Sequence, residues 1–468
     1  MFKDYVNKDV NESVELALKR AHKSHELYND VVTFIDPSAQ IANMPKEGKM
    51  KGIPIALKDN VCTKGIKTTA CSNILANYVP IYNAHIVDKL QQAGAICIAK
   101  ASMDELAMGG TNLTSNIGPC LNPYDTTRMS GGSSGGSAVL VASGAVDFAI
   151  GSDTGDSIRK PASYCGIVGV KPTYGRISRY GIIPYSSSLD HVGYFTRSIE
   201  DAAVSLEVLA GRDDRDMTSS YREVEEYSKL LNSDLNGKKI AVFKNVYDGL
   251  TNQQTIDIFN DLLKKMEAKG AIIDFVALPD DLCKALLPTY YLIANCEATA
   301  NHSNLDGLRF GVQKEGKDVE EIMINSRTAG FGSLIRKRFV IGSYGLFVEN
   351  QEKLFRQAQR VRRLIVNEVK DILSKYDCLI APASNDIAPH LDDNSRDQLS
   401  DEYLIVENHM VIGNFTGYPS MTLPMGMIDG CPIGVNLTCM AFEESKMFNL
   451  GLAIEEITGL KDMKVSVE

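Results

Sequence analysis

No stretch of the chain approaches the roughly 18 to 20 consecutive apolar residues that a membrane-spanning helix needs. The best candidate, residues 138–150, is interrupted by Ser143, Gly144 and Asp147. The N-terminal segment carries charges throughout and lacks the apolar region of a secretory signal peptide. We therefore expect a cytoplasmic protein that has no membrane segment.

Patterns that bind metal ions are also missing. The ten cysteines form no CxxC pair, and the two that lie closest together in the sequence are Cys431 and Cys439. The seven histidines form no HExxH motif. We expect reduced, mostly buried thiols and no metal site in this chain.

What is present is the composition of a globular protein. The 468 residues are 44% hydrophobic and 23% charged, and the formal net charge is −10. This length exceeds what one small core usually supports, so one large or two medium domains are expected. The acidic balance argues against a surface whose main role is to bind nucleic acid or another polyanion.

Helices and strands alternate along the chain. The segment "IPIALKDNV" is a short buried strand with Lys58 at its carboxyl end, and "AHIVDKLQQAG" followed by "AICIAKA" is a helix and the next strand. A further strand, "AVDFAIGSD", ends at Asp153, and an acidic, irregular loop is expected over 386–402. The alternation predicts an α/β/α layered protein with a mixed central sheet.

The chain, residues 1–468, is interpreted as one continuous domain with two less regular parts. Residues 1–45 form a short N-terminal helical part, in which Asn11 caps an amphipathic helix over 10–30. An insertion is expected over 211–340. The apolar stripe of the N-terminal helix is predicted to consist of Val14, Leu16, Leu18, Ala21 and Leu27.

The most unusual stretch is "RMSGGSSGGS", which is followed by a small-residue helix, a strand and a second loop, "SDTGDS". Glycine weakens helices and strands, so a chain that needed only a core would not concentrate it here. A flexible linker does not fit, because regular elements flank the stretch closely. A phosphate-binding loop is excluded because GxxxxGK[ST] is absent and no lysine follows the glycines before Lys160. The stretch therefore indicates catalysis by a serine.

One way to activate that serine is a nucleophile elbow. Residues 132–136 satisfy the GxSxG pattern, and Asp190 and His191 would then supply the acid and the base. Adjacent residues in the chain suit such a relay poorly, so this interpretation carries little weight.

The other way is a lysine base. Lys58 closes an apolar strand, and desolvation would keep its amine uncharged. Ser133 and Ser157, one from each loop, would carry the attack and the proton transfer between them. The backbone N–H groups of the second loop would bind the developing oxyanion. These candidate oxyanion-hole residues are Thr154, Gly155 and Asp156.

The same residues resemble the signature of the amidase signature family. The segments "GGSSGG" and "GSDTGxSIRxPA" match its long pattern at the required spacing, and "KDN" matches its lysine segment. The resemblance implies the layered amidase signature fold. It also implies a Ser–cis-Ser–Lys triad with Ser157 as the nucleophile, Ser133 as the bridging serine and Lys58 as the base.

Further segments, among them "EATANHSNLDGLRFG" and "GYPSMTLPMG", are similar to one branch of that family, the A subunits of tRNA-dependent amidotransferases. The likeness implies a glutaminase whose ammonia is used to convert Glu-tRNA(Gln) to Gln-tRNA(Gln). It implies that Tyr290, Arg338 and Glu407 bind glutamine, with the guanidinium on the α-carboxylate and the acid on the α-ammonium group. The implied partners are B and C subunits, with tRNA contacted indirectly through the B subunit. ATP and magnesium would belong to the partner, so no cofactor is expected in this chain.

Two alternatives to a glutaminase subunit stay open. One is a free-standing amidase that acts on other small amides without partners or tRNA. The other is a scaffold subunit with weakened catalysis, because Asp156 departs from the glycine that the family usually has at this position. A carboxylate beside the oxyanion site would slow turnover unless it points away from that site.

Overall fold

A single mixed sheet of 11 strands organises the computed structural model, which describes residues 1–393 and 401–467. The strands are β1 (Val31–Phe34), β2 (Pro54–Lys58), β3 (Ile96–Ala101), β4 (Phe148–Asp153), β5 (Val168–Lys171), β6 (His191–Thr196), β7 (Lys239–Phe243), β8 (Ile272–Val276), β9 (Cys378–Pro382), β10 (Ser420–Ile428) and β11 (Cys431–Thr438).

Helices connect these strands. They are α1 (Val10–Tyr28), α2 (Ser38–Ala42), α3 (His85–Gln92), α4 (Gly135–Ala142), α5 (Arg159–Cys165), α6 (Ile199–Leu209), α7 (Lys244–Asp248), α8 (Gln253–Ala268), α9 (Asp280–Lys284), α10 (Leu286–Asn301), α11 (Val319–Gly330), α12 (Ser333–Leu346), α13 (Val348–Gln351), α14 (Phe355–Leu373), α15 (Asp401–Asn408), α16 (Ile412–Thr416) and α17 (Glu444–Thr458).

The strands lie in the order β1-β3-β2-β4-β6-β5-β10-β11-β9-β7-β8. β2 is parallel to both of its neighbours, β3 and β4, and β7 is parallel to β9 and β8, whereas the other adjacent strands are antiparallel. Every residue of β2, β3, β4 and β6 is buried, as expected where both faces of a sheet are covered. The prediction of an α/β protein with a mixed central sheet is confirmed.

The N-terminal helix differs from its prediction in its cap and in its buried face. Asp9, and not Asn11, caps α1, because the Asp9 carboxylate accepts a hydrogen bond from the Glu12 N–H at 3.0 Å. Leu16 and Leu27 are exposed at 48% and 43% of their surfaces, so the predicted stripe was wrong for these two residues. The buried face consists mostly of small side chains at helical spacing, Val14, Ala17, Ala21 and Ser24, which allow a close approach to the domain, and it ends at Tyr28.

The middle of the chain contributes both to the sheet and to the helices around one end of it. β7 and β8 extend the sheet beyond β9, and α10 packs against α12 and α14. The insertion expected over 211–340 stays a prediction. The loop expected over 386–402 lies partly outside the described residues, and α15 begins within its range at Asp401.

The ten cysteines are all free and all buried, which agrees with the prediction of reduced, mostly buried thiols. Burial raises the pKa of Cys71 and Cys97 to about 12, which keeps these thiols protonated at neutral pH. Among the helices of residues 1–393 and 401–467, none combines the length and the apolar character that crossing a membrane requires.

The glycine-rich stretch is packed tightly against the sheet. Gly136 lies in the first turn of α4, where a β-carbon would lie 2.5 Å from the carbonyl oxygen of Asp30 and 2.6 Å from the backbone of Ser102. Because both contacts are with backbone atoms, no side-chain movement can relieve them. Glycine is needed here for close packing.

We expect the Gly136→Ala substitution to lower the free energy of unfolding by about 1–3 kcal/mol or more, because overpacking a filled interior forces the backbone to shift. Urea unfolding followed by circular dichroism measures this loss. Gly110→Ala is the matched control, since no atom lies within 4 Å of a β-carbon built there. Equal stability of the two variants would contradict the packing argument.

Candidate active site

The amine of Lys58 lies at the centre of the site, at the carboxyl end of β2. Its Nζ is hydrogen-bonded to Ser133 Oγ at 2.8 Å, to Ser134 Oγ at 2.8 Å and to Ser152 Oγ at 2.9 Å. The side chain is completely buried. An uncharged amine has two donors and one lone pair, so three hydroxyl partners can satisfy it without a counter-ion.

Burial also determines the protonation of this amine. Desolvation lowers the pKa of Lys58 to about 7, although the carboxylates of Asp104, Asp153 and Asp190 oppose the shift. A large fraction of the amine is therefore uncharged at neutral pH. Such a group can accept a proton from a hydroxyl.

The first loop presents Ser133 to Lys58 through a narrow turn. The Gly132–Ser133 peptide bond is cis, and Gly131 has a φ of +76°. A β-carbon on Gly132 would lie 2.0 Å from Asp104 Oδ2, which itself accepts the N–H of Asn112 at 2.9 Å. The loop thus occupies a cleft that is too narrow for any side chain at position 132.

The second loop brings Ser157 next to the first. The N–H of Ser134 donates to the carbonyl oxygen of Ser157 at 3.2 Å, so the two loops are joined directly. Ser157 is only 4% exposed, and its hydroxyl makes no hydrogen bond within residues 1–393 and 401–467. The structure therefore brings Lys58 and Ser133 into contact and puts Ser157 on the adjoining loop.

Two fixed contacts orient the peptide groups of the second loop. The Thr154 hydroxyl donates to Asp190 Oδ1 at 2.7 Å, and Arg159 Nη2 donates to the Gly155 carbonyl oxygen at 2.7 Å. In a trans peptide, the N–H points away from the carbonyl, so the N–H of Asp156 is directed away from Arg159. A fixed backbone donor of this kind can stabilise an oxyanion.

Arg159, for which the sequence analysis predicts no role, holds this loop in place through side-chain hydrogen bonds. It pairs with Asp153 through Nε at 3.1 Å and Nη2 at 2.9 Å, and it also donates to Asn414 Oδ1 at 2.7 Å. Although burial opposes ionisation, Arg159 and Asn414 hold the pKa of Asp153 below its usual range. The resulting ion pair is completely buried.

Two more residues that the sequence analysis missed are Ser134 and Ser152, which share Lys58 with Ser133. The strand pattern could have indicated that Ser152 lies near Lys58. β2 and β4 are parallel, and Leu57 pairs with Ile150, so Ser152 and Lys58 emerge at the same edge of the sheet. Nothing in the sequence distinguishes Ser134 from Ser133.

Of the three predicted substrate-binding residues, Tyr290 packs on the second loop and Arg338 lies near Tyr290. The ring of Tyr290 on α10 packs against Gly155, where a β-carbon would lie 2.9 Å from Tyr290 Cζ. Arg338 on α12 donates to the hydroxyl of Tyr185, and its guanidinium lies 5.5 Å from the centre of the Tyr291 ring. A phenol therefore lies against the loop, and a half-buried guanidinium lies near that phenol.

Glu407, the third of these residues, lies on α15 and is held by the protein. Its Oε2 is 3.0 Å from Lys160 Nζ, and its Oε1 accepts the N–H of Asn385 at 3.0 Å. Lys160 is buried in the first turn of α5, directly after the second loop. Glu407 is thus close to the loop, but both of its oxygens have partners.

The nucleophile elbow finds no support in the geometry. His191 Nδ1 lies 2.7 Å from the Leu189 carbonyl oxygen, and desolvation holds the pKa of His191 well below its usual range. Asp190 accepts hydrogen bonds from Thr154 and from the N–H of Tyr185. Ser134, which the elbow would make the nucleophile, is bonded to Lys58 instead.

No cluster of three or more histidine, cysteine, aspartate or glutamate side chains in the described part of the chain is arranged to hold a metal ion. The groups at the site are hydroxyls, an amine, backbone N–H groups and one guanidinium. Together they can attack a carbonyl carbon, move a proton and stabilise an oxyanion.

Known proteins are similar to this chain in sequence and in fold. Residues 12–448 match the Amidase family. The chain is 40% identical over 437 residues to the A subunit of the glutamyl-tRNA(Gln) amidotransferase of Lactobacillus delbrueckii subsp. bulgaricus, and the match covers 92% of this chain and 90% of the relative. It is 36% identical over 460 residues to the protein of the same name from Thermotoga maritima, with 97% and 96% covered.

Solved structures agree with these matches. The crystal structure of the Thermotoga maritima protein superimposes with a TM-score of 0.81 at 33% identity, covering 97% of this chain and 94% of that one. The native peptide amidase from Stenotrophomonas maltophilia gives a TM-score of 0.81 at 26% identity, with 97% and 95% covered. With its signature loops, its lysine and its sheet all accounted for, the chain belongs to the amidase signature family.

Proposed function

We propose that the protein hydrolyses glutamine as the A subunit of a tRNA-dependent amidotransferase, and that its ammonia is used to convert Glu-tRNA(Gln) to Gln-tRNA(Gln). The observation that carries this proposal is the buried amine of Lys58, hydrogen-bonded to Ser133 beside the loop of Ser157. The relatives support it, because they bear the name of this subunit and cover 92% and 97% of the chain.

The proposed reaction passes through an acyl-enzyme. Ser157 Oγ attacks the carboxamide carbon, its proton moves to Ser133, and the proton of Ser133 moves to Lys58 Nζ. The backbone N–H groups of residues 154–156 stabilise the oxyanion. Lys58 then protonates the leaving nitrogen through the same relay, the C–N bond breaks, and ammonia departs. Water hydrolyses the glutamyl ester on Ser157 and restores the free hydroxyl.

Glutamine is the proposed substrate because of the groups that border the site. Arg338 is half-buried, and the one polar contact of its guanidinium in the described residues is the hydroxyl of Tyr185. A guanidinium with free donors binds a carboxylate in a bidentate manner. Tyr290, packed on Gly155, would lie along the substrate between this carboxylate and the reacting amide.

The proposal includes partners. A and B subunits would act together, with the B subunit contacting the tRNA and using ATP and magnesium, and a C subunit would join them. A free-standing amidase is the second candidate function, and the fold similarity to a peptide amidase favours it. The two differ in one measurable respect, since a free-standing amidase needs neither partners nor tRNA to hydrolyse amides other than glutamine.

We expect Lys58→Ala and Ser157→Ala to abolish the release of ammonia from glutamine, because they remove the base and the nucleophile. Ser133→Ala should lower kcat by about 10²-fold or more, as the loss of a proton relay does. Ammonia is measured for the chain alone and for its complex with B- and C-type subunits. Lys64→Ala, an exposed lysine near the site in sequence, is the control. Full activity in all three variants would rule out the triad.

The second prediction concerns pH. Below a pH of about 7 Lys58 becomes protonated and cannot accept a proton, so kcat/KM for glutamine should fall as pH decreases through that value and level off above it. The measurement is the rate of ammonia release between about pH 5.5 and 8.5. A profile that stays flat across this interval would show that Lys58 is not the base.

The third prediction concerns recognition of the α-carboxylate. Arg338→Ala should raise KM for glutamine by about 10- to 100-fold, which corresponds to the loss of a charged hydrogen bond. It should leave the weak hydrolysis of 4-aminobutanamide, which is glutamine without its carboxylate, unchanged. Lys337→Ala, an exposed cation on the same helix, is the matched control. An equal loss for both substrates would assign Arg338 to structure rather than to recognition.

A further inference from the structure

Three charged residues lie near the nucleophile loop, and their charges act on one another: Asp156, Lys160 and Glu407. Asp156 directly precedes Ser157 in the chain, and its carbonyl oxygen accepts the N–H of Lys160 at 2.8 Å. The Lys160 ammonium lies 3.0 Å from Glu407 Oε2. Two carboxylates and one ammonium therefore leave one negative charge without a partner at this side of the site.

The uncompensated charge belongs to Asp156. Both oxygens of Glu407 are engaged, one by Lys160 and one by the N–H of Asn385. Arg159, the other nearby cation, is bound to Asp153 through two hydrogen bonds. The carboxylate of Asp156 accepts no hydrogen bond within residues 1–393 and 401–467, although the residue is half-buried.

The electrostatics agree with this assignment. Burial raises the pKa of Asp156 to about 6, and the nearby cation Lys160 does not fully offset that effect. A carboxylate with a bound counter-charge would show the opposite shift, as Asp153 does beside Arg159. Asp156 is therefore a half-buried anion that would gain from a cationic ligand.

Tyr290 lies near both the carboxylate of Asp156 and the guanidinium of Arg338. Its ring packs on Gly155, which precedes Asp156 in the chain. Burial raises the pKa of its phenol, the negative charge of Asp156 adds to this shift, and the positive charge of Arg338 opposes it. The two ionic groups thus both lie near one phenol. A zwitterionic amino acid has the matching pair of charges on a single carbon atom.

We propose that Asp156 binds the α-ammonium group of the substrate. Glu407 does not touch the substrate and acts indirectly, by neutralising Lys160. This inference rests on the proposed function, and it narrows the substrate to a free α-amino acid amide. It also gives the departure from glycine at position 156 a role in recognition. Without the Lys160–Glu407 pair, Lys160 would be free to neutralise Asp156.

The test compares two substrates. Asp156→Asn removes the charge but keeps the shape, so KM for glutamine should rise by about 10- to 100-fold, as expected for the loss of a charged hydrogen bond. For glutaramate, which is glutamine without its amino group, KM should stay within about twofold of the unsubstituted value. Asp214→Asn, which removes one charge from a side chain that is 88% exposed, is the control.

The outcomes separate this inference from the function on which it rests. If the unsubstituted complex releases no ammonia from glutamine, the proposed function fails. If it releases ammonia but Asp156→Asn changes both substrates by the same factor, Asp156 acts on the oxyanion loop and the inference is overturned. An unchanged KM for both substrates overturns it as well. Asp156→Glu, which restores the charge, should recover part of the preference for glutamine.

Discussion

The burial of one amine is the constraint on which the site depends. An ammonium group cannot be moved from water into a protein interior without a large cost in free energy, so the interior must either supply a counter-ion or favour the neutral form. At Lys58 the fold supplies three hydroxyl groups instead of a counter-ion. The oxygens of Ser133, Ser134 and Ser152 have to converge within 2.9 Å of one nitrogen, and this requirement determines how the two loops meet.

That convergence explains why the glycines are concentrated where they are. Ser152 reaches the amine from β4, which is parallel to the strand of Lys58, so its position follows from the sheet. The other two serines must come from a loop that crosses the carboxyl edge of the sheet and enters a cleft beside Asp104. Only a chain without side chains at positions 131 and 132 can pass through that cleft, and the small-residue helix α4 continues the close packing.

The second loop depends on residues far away in the chain. Arg159 links the loop to Asn414 and to the carbonyl oxygen of Met410, about 250 positions later, through contacts of 2.7 and 2.6 Å. Lys160, the next residue, is bound to Glu407 from the same part of the chain. The geometry around Ser157 is therefore completed only when the C-terminal part has folded onto the sheet.

The dependence of the second loop on distant residues limits how much of the structure could be predicted from the sequence. The strand ends, the Lys58–Ser133 contact and the buried thiols follow from local pattern and from the family signature. The cap of α1 and the exposure of Leu16 and Leu27 were predicted wrongly, because the competition between Asp9 and Asn11 and the closeness of packing are decided by tertiary contacts. The engagement of Glu407 could not be foreseen, since its partner Lys160 is 247 positions away. An ion pair of that kind leaves no trace in spacing.

The burial of all ten cysteines has a practical consequence. The folded surface offers no sulfhydryl to alkylating agents, and the reaction attributed to the site uses oxygen nucleophiles and an amine base, not a thiol. A single cysteine introduced at an exposed position such as Met217, which is 81% exposed, would be the one accessible thiol of the folded protein. A fluorophore or spin label attached there could report association with other subunits without the removal of any native cysteine.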